Sequence, residues 1–180
     1  MPTVITHAVV PLVIGTALGK RTIQPRLMLA GAFVAMLPDF DVIAFKLGIA
    51  YADTFGHRGA SHSLLFAACV GFSGVFACRA LRSPVWLTFV WLFACTASHP
   101  LLDAFTDGGL GVALLWPWHD ARLFAPWRPI EVSPIGASFF SARGLAVLWS
   151  EVRWVWLPAL AVAAFISLVR NRRRTPPAVS

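Results

Sequence analysis

Long uncharged apolar runs constrain this chain more than any other feature of its sequence. They extend over residues 59–77 or 78, 83–102 and 154–169, and each approaches the ~20 apolar residues that a membrane-spanning helix needs. The chain has 58% hydrophobic and only 13% charged residues, with a mean hydropathy of +0.72, which excludes an ordinary soluble domain. The sequence therefore predicts an integral membrane protein.

Two shorter apolar segments, residues 4–19 and 27–38, precede these runs. We interpret both as helices that either cross the membrane with their flanks included or enter it only part way. The predicted fold is therefore all-α and polytopic, with about four to five membrane-embedded helices. We expect a single membrane-embedded domain over residues 1–170 and a basic cytoplasmic tail over residues 171–180.

The basic residues that flank the apolar segments form three groups. Lys20, Arg21 and Arg26 follow the first segment, Arg79 and Arg82 follow the third, and Arg170, Arg172, Arg173 and Arg174 follow the last. Because Lys and Arg accumulate in cytoplasmic loops, these groups predict cytoplasmic ends and a cytoplasmic C-terminus. The net charge of +7 is thus explained by topology, and we expect no nucleic-acid partner.

Histidine and aspartate recur at the other ends of the apolar segments. The seven residues are His7, Asp39 and Asp41 in LPDFD, His57 and His62 in FGHRGASHSLL, and His99 and Asp103 in SHPLLDAF. All of them lie outside the three basic groups. The sequence therefore predicts that the outer, periplasmic ends of the helices together form one polar site.

Two of these motifs have a spacing with a direct structural meaning. His99 and Asp103 are i and i+4, so a helix projects both side chains from one face, one turn apart. In LPDFD, Pro38 helps to end the second helix, and we expect the following loop to deliver Asp39 and Asp41 outward. A D-x-D pair in a loop can present both carboxylates to metal.

The two histidines of FGHRGASHSLL require a different local structure. His57 and His62 are five residues apart and cannot share one helical face. We expect His57 and Arg58 in a loop in which Gly59 allows the backbone to turn. Ser61 is then predicted to cap a helix that carries His62 in its first turn, so that both imidazoles point at one centre.

The chemistry of this residue set suits a divalent metal. Imidazole and carboxylate ligands without thiolates fit Zn²⁺, Mn²⁺ or Fe²⁺, with zinc as the leading candidate, and the seven donors can hold two or three ions. Paired ions favour in-line displacement at phosphorus over other hydrolyses. The predicted catalytic residues are Asp41 and Asp103, which can orient a water or accept its proton, and Arg58, which can offset phosphate charge.

Residues 114–135 are rich in Trp and Pro, as is typical of a segment that lies at a membrane interface. We expect Trp116, Trp118 and Trp127 to anchor this segment. Arg122 and Arg128 would then meet lipid headgroups or an anionic substrate. The predicted partners are therefore membrane lipids and an anionic phosphoester, either a lipid or a lipid-linked phosphate.

Each motif also has an ordinary structural explanation when it is taken alone. His7 is explained by a polar side chain that reaches the membrane interface, LPDFD by a solvated turn, and His99 with Asp103 by a hydrogen bond that closes a helix end. An ion-binding or transport protein without hydrolase activity is the main alternative, because intramembrane His and Asp also mark ion pathways. A structural protein without metal leaves the clustering unexplained.

The motifs LPDFD, FGHRGASHSLL, SHPLLDAFTDGG and LLWPW, in this order and among apolar helices, closely resemble the YdjM-like family of bacterial inner-membrane proteins. The resemblance covers almost the whole chain, although Ser61 stands where threonine is common. It implies a multi-pass inner-membrane protein of a family described as metal-dependent hydrolases. The H-x-x-x-D helix is also distantly similar to zinc-dependent phospholipase C and P1-type nucleases, and that similarity implies phosphoester substrates.

Overall fold

The computed structural model describes residues 1–134 and 136–173, and helices dominate this part of the chain. The α-helices are α1 (Val4–Leu18), α2 (Pro25–Met36), α3 (Ile43–Lys46), α4 (Leu64–Val75), α5 (Cys78–Leu81), α6 (Val85–Ala104), α7 (Ala142–Glu151) and α8 (Leu157–Arg172). Short 3₁₀ segments occupy Leu37–Val42, Ala60–His62 and Gly136–Phe139. A π-helical segment, Val152–Trp156, joins α7 to α8 in one continuous rod.

Extended strands are absent from the described residues, which contain two isolated bridges, Thr106 with Ile130 and Val112 with Leu123. The predicted all-α fold is therefore confirmed. The end of the predicted basic tail, residues 174–180, lies outside the described residues, as does residue 135 of the predicted interfacial segment.

Three helical stretches are long and apolar enough to cross a membrane: Pro25–Lys46 with 22 residues, Val85–Ala104 with 20 and Ala142–Arg172 with 31. The second covers all but the first two residues of the predicted run at 83–102, and the third contains the predicted run at 154–169. The first is longer than the predicted segment 27–38, because the 3₁₀ segment and α3 continue α2. By contrast, the run at 59–77 yields the 12-residue α4, since residues 59–63 form the loop that carries the histidines. A total of four to five membrane-embedded helices stays a prediction.

The helices alternate in direction and pack side by side. In spatial order they run α4, α6, α2, α1 and α8, and the buried core between α2 and α6 contains Leu27, Trp91 and Cys95. Gly31 allows this close packing, because a Cβ atom at that position would lie 2.3 Å from Trp91 Nε1. The indole Nε1 of Trp91 packs there and donates a hydrogen bond of 3.2 Å to the Leu27 carbonyl.

Basic residues from distant parts of the chain meet at one end of the bundle. Arg26 Nη1, at the start of α2, donates to the carbonyl of Ala80 in α5 at 3.0 Å. Arg170 Nη1, near the end of α8, donates to the carbonyl of Ala17 at 2.6 Å. The candidate histidines and aspartates lie at the opposite end, where α1 begins and where α2 and α6 finish.

Candidate metal centre

The structure brings all seven candidate ligands into one contiguous buried cluster. Asp103 joins two histidines, since its Oδ1 lies 3.5 Å from His7 Nε2 and its Oδ2 lies 3.5 Å from His62 Nε2. His99 Nε2 lies 3.1 Å from His62 Nε2 and 3.3 Å from Asp39 Oδ1. Asp41 lies 2.5 Å from His57 Nδ1 and 3.1 Å from His62 Nδ1. The predicted convergence at one end of the bundle is thus present, while metal ligation by these residues stays a prediction.

The helix α6 and the 3₁₀ segment position the two pairs with defined spacing. His99 and Asp103 lie one turn apart in α6, and both are fully buried. LPDFD does not form the loop that we expected but the 3₁₀ segment Leu37–Val42. With about 3.0 residues per turn, residues two apart face different sides, so Asp39 faces His99 while Asp41 faces His57 and His62.

The loop before α4 differs from the expected geometry in two respects. The N-cap is Ser63, whose Oγ accepts a hydrogen bond from the Phe66 amide at 3.0 Å, so His62 precedes α4 and the predicted cap at Ser61 is wrong. The left-handed backbone is at Arg58, with φ of 63°. Gly59 instead permits a close backbone approach, because a Cβ atom there would lie 2.1 Å from the Thr54 carbonyl oxygen.

Four residues form a group that could hold one metal ion: Asp39, His62, His99 and Asp103, with one donor atom from each lying within 4.8 Å of the others. The outer nitrogen of each imidazole is engaged elsewhere. His99 Nδ1 lies 2.7 Å from the Ala35 carbonyl, and His62 Nδ1 lies 3.1 Å from Asp41 Oδ2. Since a carbonyl and a carboxylate can only accept, these contacts place the ring protons on Nδ1 and aim both Nε2 lone pairs inward.

The hydrogen bonding of this group fits a bound cation. Within the described part of the chain, both carboxylate oxygens of Asp39 and Asp103 and both ring nitrogens of His7 are buried without a hydrogen-bond partner. Arg58 Nε lies 3.0 Å from Asp103 Oδ2 but without hydrogen-bond geometry. Burial of polar atoms that lack partners is costly, and a divalent ion is a partner that imidazole and carboxylate donors suit.

A second group that could hold an ion consists of Asp41, His57 and His62, and it shares His62 with the first. Asp41 accepts hydrogen bonds from the Ser61 hydroxyl at 2.7 Å and from the Arg58 backbone amide at 3.0 Å. These contacts fix the carboxylate between the two imidazoles. Asp41 is therefore placed both to bind an ion and to orient the rings of His57 and His62.

Arg58 is buried against the centre by three side-chain contacts. Besides its approach to Asp103, its guanidinium donates to the Gly108 carbonyl at 2.9 Å and to the Thr106 hydroxyl at 3.0 Å. A Cβ atom at Gly109 would lie 2.7 Å from Arg58 Nη1, so the glycine leaves room for the guanidinium. The positive charge predicted near the metal ligands is present, and it faces Asp103.

The two arginines of the predicted interfacial segment lie farther from the cluster. Arg122 supports the histidine loop, since its guanidinium donates to the carbonyls of His57 and Asp53, both at 2.8 Å. Arg128 stacks over the Phe124 ring at 4.7 Å. Trp118 and Trp127 are 76% and 56% exposed, and their role as interfacial anchors stays a prediction.

Sequence reasoning missed two residues beside the centre. Tyr51 packs edge-on against His57, with 5.2 Å between ring centroids, and burial raises the pKa of its phenol. Glu151 is fully buried and accepts hydrogen bonds from the hydroxyls of Thr3 and Thr6. Thr6 directly precedes His7 in the chain. Tyr51 is the single tyrosine of the chain, a weak signal, and the partners of Glu151 are too distant in sequence to be predicted.

The fold and the cluster define a class: a helical membrane protein with a buried His–Asp site at one end of its helices. The family model described as YdjM inner membrane protein matches residues 1–174, and the chain belongs to this family. It is 49% identical over 168 residues to "Inner membrane protein YbcI" of Escherichia coli (strain K12). The aligned region covers 92% of this chain and 97% of that protein. No solved structure matches the chain. The predicted family and its inner-membrane character are thereby confirmed.

Proposed function

We propose that this protein is a membrane-bound, metal-dependent hydrolase that cleaves phosphoesters. The observation that carries the proposal is the convergence of Asp39, His62, His99 and Asp103, whose donor atoms lie within 4.8 Å of one another. The inward lone pairs of both imidazoles and the unpartnered oxygens of both carboxylates support it.

The four-residue group would hold one ion, with His62 binding through Nε2. Asp41 and His57 of the second group would hold another, because His62 Nδ1 carries its proton toward Asp41 and offers no lone pair there. Zinc is the leading candidate and manganese or iron the alternatives, because nitrogen and oxygen donors without thiolate accept all three. His7 supports a further ligand position, since it lies 3.5 Å from Asp103 and its ring stacks on that of His99 at 3.6 Å. When bound, a divalent ion supplies Lewis acidity and lowers the pKa of water toward neutrality.

The chain's own residues then have distinct roles. Asp41 holds His57 and His62 in place through their Nδ1 atoms, and its carboxylate is placed to take up a proton from the attacking water. Asp103 lies between His7, His62 and Arg58. Arg58 adds the positive charge that a phosphoester needs nearby.

We further propose that the site faces the periplasm and that the C-terminus is cytoplasmic. The contacts of Arg26 and Arg170 support this orientation, because they gather basic residues at the end of the bundle opposite the cluster. Alkaline phosphatase fused after Gly109 should be active, and alkaline phosphatase fused after Arg174 should be inactive. The reverse pattern would place the site in the cytoplasm.

The test of the metal site is elemental analysis of the detergent-purified protein with matched variants. His99→Ala and Asp103→Ala should each lose most of the bound metal, because each removes a donor from the four-residue group. His119→Ala and Asp120→Ala are the controls, since both side chains are exposed and lie outside both donor groups. Full metal content in both site variants would refute the ligand assignment.

The test of the reaction uses the same proteins, reconstituted and supplied with fixed metal. The wild type and the controls should release product from phosphodiester or phosphomonoester substrates, and the site variants should not. Metal-dependent cleavage of a peptide or glycoside alone would refute the substrate class. Bound metal without turnover of any substrate would favour an ion-binding or transport protein.

A further inference from the structure

A cavity of about 460 Å³ lies directly beside Asp39. Its walls come from the N-terminus and first turn of α1, from the 3₁₀ segment Leu37–Val42, and from Ser133, Pro134, Gly136 and Phe139. The apolar residues that the argument uses are Val4, Ile5, Phe40, Val42 and Phe139. A cavity of this volume is in the range that binds drug-sized ligands.

The polar side chains that line this cavity are mostly engaged in the protein itself. Thr3 Oγ donates to Glu151 at 2.7 Å, and Ser133 Oγ donates to the Pro134 carbonyl at 3.3 Å. Asp39 differs, because both of its oxygens lack hydrogen-bond partners among the described residues. The cavity therefore offers mostly apolar walls beside the Asp39 carboxylate of the candidate metal centre, which suits a hydrocarbon chain better than a sugar or peptide.

The surroundings of the cavity are those of a lipid-facing surface. Ile5, Phe40 and Ile43 are 58%, 49% and 55% exposed, so apolar side chains flank it. Phe40 and Ile43 belong to Pro25–Lys46, one of the stretches long and apolar enough to cross a membrane. An acyl chain that enters the cavity would thus meet apolar side chains around it.

We propose that this cavity binds an acyl chain of a membrane phospholipid and places its phosphate at the Asp39 side of the metal centre. The inference rests on the proposed function and deepens it, because it assigns the substrate to diacyl phospholipids and not to water-soluble phosphoesters. Because the acyl chain comes from the bilayer and not from water, its selection depends on its fit to the cavity and on the phosphate at the candidate metal centre, and not on hydrophobic transfer.

The test is photolabelling, which requires no turnover. The probe is phosphatidic acid with a diazirine near the end of one 16-carbon acyl chain, added to the protein in phosphatidylcholine nanodiscs and mapped by mass spectrometry. Labels should fall on the first turn of α1 and on residues 37–42. Unlabelled dipalmitoyl phosphatidic acid should compete, and glycerol 3-phosphate, which has no acyl chain, should not.

Val42→Trp should reduce this labelling, because an indole fills the cavity. The displaced acyl chain returns to the bilayer, so the label should move from these residues to lipid, with most of the specific labelling lost. Val4→Trp fills the cavity from the opposite wall and should act alike; Val4 is 38% exposed, so this variant should fold. The matched control is Val13→Trp, which fills a second cavity of about 450 Å³ between α1 and α8 and should leave the labelling unchanged.

The outcomes separate this inference from the proposed function. Equal labelling in the wild type and both cavity variants, or equal loss with Val13→Trp, would overturn the acyl-chain site, as would competition by glycerol 3-phosphate. Hydrolysis of soluble phosphoesters without specific labelling would also overturn it while the proposed function stands. Specific labelling without hydrolysis of any phosphoester would support the lipid site and refute the hydrolase.

Discussion

Glu151 joins the long C-terminal rod to α1 and offers a quantitative test of how the site is held. Its Oε1 accepts the Thr3 backbone N–H at 2.5 Å, and its Oε2 accepts the hydroxyls of Thr3 at 2.7 Å and Thr6 at 2.6 Å. Trp156 Nε1 donates to Thr6 Oγ at 2.8 Å. Because His7 follows Thr6, these hydrogen bonds also fix the part of α1 that enters the candidate metal centre.

Glu151→Leu keeps the size of the side chain and removes all three acceptor contacts. Hydrogen bonds between helices of a membrane protein contribute about 0.6–1.7 kcal/mol each, so the loss of three should cost roughly 2–5 kcal/mol. At about 2–4 °C for each kcal/mol in a chain of this size, the Tm should fall by about 4–20 °C. Glu151→Gln retains one oxygen acceptor and should show about half of this effect.

The assay is thermal unfolding in detergent, followed by intrinsic fluorescence and by size-exclusion chromatography of heated samples. Asp120→Asn is the control, because Asp120 is exposed and should change stability by less than about 0.5 kcal/mol. A Tm of Glu151→Leu equal to that of the wild type would show that the three hydrogen bonds contribute nothing to stability. The role assigned to Glu151 in holding α1 would then be wrong.

Two further substitutions test the loop and the core. Gly59→Ala should destabilise the protein by about 3 kcal/mol, since its Cβ atom would lie 2.1 Å from the Thr54 carbonyl oxygen; unchanged Tm and metal content would contradict the loop geometry. Trp91→Phe should cost about 1 kcal/mol, because it removes the hydrogen bond to α2. The exposed Trp86 provides the control Trp86→Phe, and equal Tm values for both variants would argue against that hydrogen bond.

Much of the site could be predicted because its signals are local. The apolar run at 154–169 lies within one long helix, and the run at 83–102 overlaps another from Val85 onward. The spacing of His99 and Asp103 predicted both on one face of α6, where the structure has them. Since consecutive helices alternate in direction, residues at alternate connections meet at one end. Together with the basic residues at the other ends of the segments, this rule predicted the convergence of the histidines and aspartates.

The parts that sequence could not predict depend on contacts over long distances in the chain. Whether Leu37–Val42 forms a loop or a 3₁₀ segment depends on partners such as His57 and His99, which follow much later. The same holds for the cap of α4, because Ser61 is engaged by Asp41 and Ser63 is left to cap the helix. The hydropathy pattern also extended the third apolar run over residues 59–63, but these residues belong to the histidine loop that precedes α4.

The rod formed by α7, the π-helical segment and α8 has a consequence for the depth of the site in the bilayer. Its 31 residues extend about 46 Å at 1.5 Å per residue, whereas the hydrocarbon core is only about 30 Å thick. Spanning it from the basic end uses about 20 residues, roughly as far as Glu151, and tilting alone cannot absorb the remaining length within the usual range of up to about 40°. We therefore expect the ten residues of α7 to project beyond the hydrocarbon, which would put Glu151 and the neighbouring His–Asp cluster at the level of the headgroups, where water and lipid phosphates are both within reach.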